Sequence, residues 1–319
     1  MKRVASLLFF VMLLNGCNDG NLVLETINFE NVATQSCSEN NIIYKLKPEE
    51  ALLLEIPKSS FLNEPTLVDA PTEIDINSTN RVVYRFYNGT VSANNICETI
   101  PPATPIVTDQ WTATAGIIQI ITTAVKTTNA TDNSTKITGY NHNISFKNIT
   151  FAKNNGTQVY ETFPFGDYVT PSTPLPFGFD KTVERCSVNS PNLIYNHTSS
   201  EALTLDIDPT LIVSAATPLN SPRTGVISAT TNKLTYSLYA GLLTADYFCN
   251  ATIPTSPAIS EEWDAVAGIS GVSGIVEVTT TTNGTGFKHT IVIKKATLKK
   301  GNSDFSLGDN YIYGELLTN

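Results

Sequence analysis

Charge is what this chain has least of. Asp, Glu, Lys and Arg make up 15% of its 319 residues, against roughly a quarter in an ordinary globular protein. A coiled coil or long helical array is thereby excluded, because those are built from Ala, Glu, Lys, Leu and Arg at helical spacing. Cations are the scarcer sign, with 20 Lys and Arg against 29 Asp and Glu and a formal net charge of −9. That balance opposes a nucleic-acid partner, whose phosphates demand Lys and Arg. Beyond the leader, no apolar run approaches the about twenty residues of a membrane-spanning helix. Gly-x-Ser-x-Gly, His-Glu-x-x-His, phosphate-loop, EF-hand and Cys-x-x-Cys patterns are all missing, and only three histidines occur. These gaps predict a chain that is not an enzyme and carries no cofactor and no metal. Thr and Asn fill the space, at 43 and 30 residues. With 41% hydrophobic residues there is enough apolar material for a core, so disorder is disfavoured.

The first seventeen residues read as an address. Lys2 and Arg3 form a positive n-region, and the uncharged stretch from Val4 to Leu14 follows. Eleven residues are too few for a mature transmembrane helix, so this is a signal peptide. It ends in Leu14-Asn15-Gly16-Cys17, which resembles the bacterial lipoprotein box. The resemblance implies that Cys17 takes a diacylglyceryl group, that cleavage precedes it, and that the new amine is acylated. Residues 1–16 would then be removed, and 17–26 would form a lipidated tether. The ten Asn-x-Ser/Thr sequons suggest glycosylation less than they seem to, since this composition yields about six by chance.

The rest of the chain is written twice. Cys37-Ser38-Glu39-Asn40 is echoed by Cys186-Ser187-Val188-Asn189, and Glu50-Ala51-Leu52 by Glu201-Ala202-Leu203. Tyr84, Tyr87, Gly89, Ala93, Cys97 and Trp111 return as Tyr236, Tyr239, Gly241, Ala245, Cys249 and Trp263, all at an offset of 152. Ala115-Gly116-Ile117 returns as Ala267-Gly268-Ile269, His142 as His289, and Gly166-Asp167 as Gly308-Asp309. Each copy is large enough to be a domain. The reading is a first repeat over 27–171, a Pro-rich linker over 172–181 acting as a semi-rigid spacer, and a second repeat over 182–319.

The elements within each copy read as strands. Arg81 to Tyr87 and Lys233 to Tyr239 are dense in Val, Tyr, Leu and Thr, the types that suit a pleated surface. Alternation at Leu52, Leu54 and Ile56 favours a strand there. Asn283-Gly284 between β-branched runs signals a hairpin, and Lys294-Lys295 breaks the alternation of its return strand. Tyr84 and Phe86 share one strand face and Tyr87 the other, so one of those faces is open to exposure. The fold class expected is all-β: two tandem, duplicated antiparallel β-sandwiches of Ig-like type.

Apart from Cys17, four cysteines allow three pairings. Equivalent cysteines should make equivalent bonds, which selects Cys37–Cys97 and Cys186–Cys249. Trp111 and Trp263 share one repeat position. They could be ligand-stacking platforms, but large aromatics dominate sandwich cores and the core reading is preferred. His142 and His289 read as satisfied strand residues and His197 as a loop residue. Lys294, Lys295, Lys299 and Lys300 resemble a solvated edge.

The lipidated leader, the Asn/Thr richness and the all-β modules together resemble exported lipoproteins of the Bacteroidetes, especially flavobacteria. That resemblance implies no reaction. The expected function is a non-catalytic, membrane-anchored exported lipoprotein of the cell envelope, tethered to the outer membrane through the lipid on Cys17, with a protein or glycan partner. A surface glycan-binding module and a hydrolase with its site between the copies are the alternatives.

Overall fold

The computed structural model describes residues 26–187 and 189–319. The signal peptide, Cys17 and nearly all of the tether lie outside the described residues. What is described is an all-β chain built from antiparallel sheets.

In the first half, strands β1 (Gln35–Ser36), β2 (Ile42–Lys47), β3 (Glu50–Glu55), β4 (Thr72–Asp75), β5 (Arg81–Tyr87), β6 (Val107–Thr128), β7 (Thr135–Lys153) and β8 (Gly156–Pro171) form one sheet. Its order is β1-β2-β3-β5-β6-β7-β8, with β4 on the far part of β6. The second half holds β9 (Glu184–Arg185), β10 (Leu193–His197), β11 (Glu201–Asp206), β12 (Arg223–Val226), β13 (Lys233–Tyr239), β14 (Ile259–Ala265), β15 (Ile275–Asn283), β16 (Gly286–Lys294), β17 (Thr297–Lys300), β18 (Ser303–Ser306) and β19 (Tyr311–Thr318). These make two sheets, β18-β17-β14-β13-β11-β10-β9 and β12-β15-β16-β19.

The two halves share their register. Leu52 faces Tyr84, which faces Trp111; Leu203 faces Tyr236, which faces Trp263. A bulge follows Phe86 in one half and Leu238 in the other. The same side chains then meet the same neighbours, so each half closes an inner core between two layers. In the first, Leu52, Leu54, Tyr84 and Trp111 pack against Ile118, Ile144, Phe146 and Phe163. In the second, Leu203, Leu205, Tyr236 and Trp263 pack against Val276, Val278, Ile291 and Tyr313.

The opposite face of β3 is covered as well. Ala51, Leu53, Val83 and Tyr87 form a second small cluster with Val91, Ile96 and Cys37, under the loop that carries a short helix, α1 (Asn94–Cys97). Ala202, Tyr239, Leu243 and Phe248 do the same beside Cys186. Alternating residues of one strand therefore serve two cores, which explains the unbroken Ala51-Leu52-Leu53-Leu54 run. It also answers the question at Tyr84 and Tyr87: both faces of β5 are buried.

The layers are joined differently in the two halves. β6, β7 and β8 run continuously from one layer to the other, with register shifts between Ala113 and Ile117 and between Ile144 and Ser145. Asn148 and Gly166 have positive φ, 49° and 110°, and mark the bends. Their counterparts Lys295 (φ 49°) and Gly308 (φ 90°) sit in outright breaks between β16 and β17 and between β18 and β19. The Lys294-Lys295 interruption is thus a corner where the chain changes sheet. One sequence echo is corrected by the hydrogen bonding. Ile76 N donates to Gly116 O, and Ile227 N donates to Gly274 O, so Gly116 corresponds to Gly274 and not to Gly268. Residues 268–273 are an insertion between β14 and β15.

Residues 172–181, read above as a spacer, lie against the second core. Leu175, Phe177 and Phe179 pack on it, and Phe177 stacks on Tyr236 with ring centroids 4.4 Å apart. Ile27 and Phe29 enter the first core in the same manner.

Candidate functional site

The cysteines pair as the repeat predicts. Cys37–Cys97 and Cys186–Cys249 are disulfides with Cα separations of 5.4 and 5.3 Å, and each ties the covering loop to the first strands of its half. Cys17 lies outside the described residues.

Trp111 and Trp263 are core residues, 1% and 4% exposed. Trp111 meets Tyr84 edge-on at 5.2 Å, and the Lys153 ammonium lies 4.0 Å from its centroid. Lys300 occupies the matching place 6.0 Å from Trp263.

His142 and His289 are fully buried in matching clamps. Thr170 donates its hydroxyl hydrogen to Asn63 Oδ1 at 2.8 Å, so it accepts from His142 Nε2 at 2.9 Å. Nδ1 of His142 is then the acceptor for Thr122 Oγ1 at 2.9 Å. In the second half Arg223 donates to Thr280 Oγ1 at 2.9 Å. The Thr280 hydroxyl meets His289 Nδ1 at 2.8 Å, and His289 Nε2 meets Thr318 Oγ1 at 3.0 Å. Each clamp also fastens a strap, because Thr66 and Thr217 exchange bonds with the Thr122 and Thr280 backbones. Burial pushes the His142 imidazole down to about 4. His289 is lowered by burial first and then by the positive field of Arg223 and Arg185. Both rings are neutral cross-links, and the repeat echo at 142 and 289 was the signal that found them. The role of the flanking threonines left no trace in sequence, since Thr122, Thr170, Thr280 and Thr318 are four among 43.

The halves touch through polar contacts. Tyr140 and Ser303 hydroxyls meet at 2.9 Å, Lys126 pairs with Asp304 at 2.8 Å, and Asn302 N donates to Glu64 Oε1 at 3.0 Å. A cavity of about 90 Å³ lies there, lined by Trp263, Glu261, Glu64 and Lys300 among others. This is where the sequence reading would look for a hydrolase's acids, and both are engaged. Glu64 holds the Asn302 amide and Glu261 pairs with Lys300.

An open cleft of about 770 Å³ lies in the second half. Its floor is the outer face of the small sheet, with Thr224 and Val226 from β12 and Ile275 and Glu277 from β15. Residues 270–272 of the insertion form one wall. That wall is pinned by backbone bonds from Ile269 N to Ser273 O at 2.8 Å and from Gly268 N to Ile227 O at 2.8 Å. Gly268 is required there, because a Cβ on it would come within 2.4 Å of Gly274 O. Lys294, Lys295 and Asp309 complete the rim. Lys294 pairs with Glu277 at 3.0 Å, so it faces a cleft and is no edge guard. Asn133 of the first half donates to Asp309 Oδ2 at 2.7 Å, which fixes one rim carboxylate across the junction. At the corresponding face of the first half the insertion is missing, and Gln119 Nε2 donates to Glu73 Oε1 across the strands at 2.6 Å. Sequence reasoning missed this site. The six-residue drift that betrays it was masked by the chance echo of Ala-Gly-Ile.

Among the described residues no group of three or more His, Cys, Asp or Glu could hold a metal ion, and no helix is long and apolar enough to cross a membrane. No protein-family model, no curated protein and no solved structure matches this chain.

Proposed function

We propose that this chain is an exported lipoprotein of a bacterial envelope, held at the outer membrane by lipid on Cys17, which binds a partner without turning it over. The observation that carries the reading is the pair of disulfides at matched positions, Cys37–Cys97 and Cys186–Cys249. Such bonds form and persist in oxidising, exported compartments. The lipobox-like Leu14-Asn15-Gly16-Cys17 supplies the anchor, since two or more acyl chains hold a folded domain stably where one does not. Binding is favoured over chemistry by how the polar groups are used. The buried histidines are held neutral as cross-links, and of the acids at the junction Glu64 docks the halves while Glu261 pairs with Lys300. What stays open is a concave surface of a size that ordinary ligands occupy.

Fractionation tests the anchor. Wild-type protein expressed in a diderm bacterium should partition into detergent with the membranes, and Cys17→Ser should appear in the soluble fraction. Retention of the substituted protein in the membrane fraction would overturn the lipid-anchored reading.

A further inference from the structure

We infer that the cleft of the second half is a binding site for a neutral polyhydroxylated chain, an oligosaccharide. The inference rests on the reading of the protein as a binder and names its ligand class.

Charge decides the class. Two carboxylates, Glu277 and Asp309, and two ammonium groups, Lys294 and Lys295, line the cleft, so the four formal charges cancel. An anion would be drawn to the lysines and repelled by the acids, and a cation the reverse. A neutral molecule rich in hydroxyls avoids both penalties and uses every group. A carboxylate accepts from a hydroxyl, and an ammonium donates to one. The Glu277–Lys294 pair, 3.0 Å apart, sets an acceptor beside a donor, which matches two adjacent hydroxyls on one sugar ring. Charge-assisted hydrogen bonds of this kind are the stronger ones. The remaining lining is apolar where it needs to be: Ile275, Val226 and the exposed Val272 offer surface to the C–H faces of a pyranose.

Preorganisation supports the same conclusion. The wall is backbone-pinned at both ends, and Asp309 is held by Asn133, so little order must be gained on binding. The corresponding face of the first half, bridged by Gln119 and Glu73, is a built-in control.

The test titrates full-length protein with neutral hexasaccharides of glucose, mannose and N-acetylglucosamine in α and β linkage, followed calorimetrically. A hexauronate and a lysine hexapeptide serve as charged probes. At least one neutral hexasaccharide should bind saturably, and the charged probes should not. Ser270→Trp, on the exposed wall, should abolish that binding by filling the cleft. Glu277→Gln should weaken it at least about tenfold, and Glu73→Gln in the first half should leave it unchanged. The inference is overturned by failure of every neutral sugar to bind, by binding of a charged probe alone, or by binding that survives Ser270→Trp. A chain that binds no sugar yet leaves the membrane on Cys17→Ser would sink this inference and keep the anchored reading. A chain that binds sugar but stays in the membrane fraction without Cys17 would do the opposite.

Discussion

Gly301 makes room for Glu64. A Cβ at 301 would stand 2.3 Å from the Glu64 Oε1, the oxygen that accepts from Asn302 N and helps join the two halves. At the matching turn of the first half the residue is Asn154, whose amide turns inward to Asp109 at 2.9 Å. One turn thus caps its own strand and the other docks a neighbour.

Gly301→Ala should therefore break a specific contact. The glutamate would swing away and lose the amide bond, about 1 kcal/mol, and the left-handed backbone (φ 54°) adds about another 1 kcal/mol. In a Glu64→Ala background only the backbone part should remain. Denaturant midpoints for the two single variants and the double variant give the coupling. Strict additivity would show that Glu64 and Gly301 do not interact.

The tryptophans differ in the same way. Trp111 Nε1 donates to Asp109 Oδ2 at 2.9 Å, whereas Trp263 Nε1 is buried without a partner in the described protein. At the position of Asp109 stands Glu261, which pairs with Lys300 instead. Trp111→Ala and Trp263→Ala should each cost about 3–5 kcal/mol, the range for large buried aromatics. Asp109→Ala should cost about 1–3 kcal/mol by orphaning the Trp111 indole, and Glu261→Ala less than about 1 kcal/mol. A Trp→Ala protein unfolding at the wild-type midpoint would refute the core assignment.

The histidine clamps give the protein an acid limb. His142 titrates near 4 when folded and near 6.5 when unfolded. Between those values the unfolded chain binds more protons, so stability is complete above about pH 6.5, falls as pH drops toward 4, and levels off below. The loss expected from this ring is about 2–3 kcal/mol. His142→Gln cannot titrate, so its stability should change by that much less than wild type between pH 7 and 4.5. Parallel pH profiles for the two proteins would show that His142 carries none of the acid sensitivity.

Much of this was legible beforehand because repetition amplifies weak signals. Four cysteines permit three pairings, and their matched positions in the two copies select the one observed. Strand β5 and its counterpart β13 were readable from Val, Tyr and Leu density, and the hairpin after β15 from Asn283-Gly284. The cleft was not readable, because an insertion that happens to repeat Ala-Gly-Ile hides its own boundary. Only the backbone bond from Ile227 to Gly274 shows which glycine is the corner. Nor was the packing of residues 172–181 readable. Pro174 and Pro176, with Pro171 just before them, suggest an extended spacer, and an extended segment lays its phenylalanines on a core as easily as it spans a gap.

That last point yields a truncation experiment. Glu201 is 1% exposed and accepts from Tyr236 Oη at 2.7 Å, from Gly178 N at 2.7 Å and from Phe177 N at 2.9 Å. Two of those three donors belong to the segment before residue 182. A chain of residues 172–319 keeps them, together with the Phe177 and Phe179 rings. One of residues 182–319 loses two charge-assisted hydrogen bonds, each about 1.5–3 kcal/mol, and the packing of two partly buried phenylalanines, each worth less than the about 1.5–3 kcal/mol of a fully buried side chain. Those losses rival the whole stability of a typical domain, about 5–15 kcal/mol. Residues 172–319 should unfold in one cooperative transition with the Cys186–Cys249 bond intact. Residues 182–319 should have a much lower midpoint or no folded baseline. Equal midpoints for the two fragments would show that the segment is a spacer after all and that Glu201 is satisfied without it.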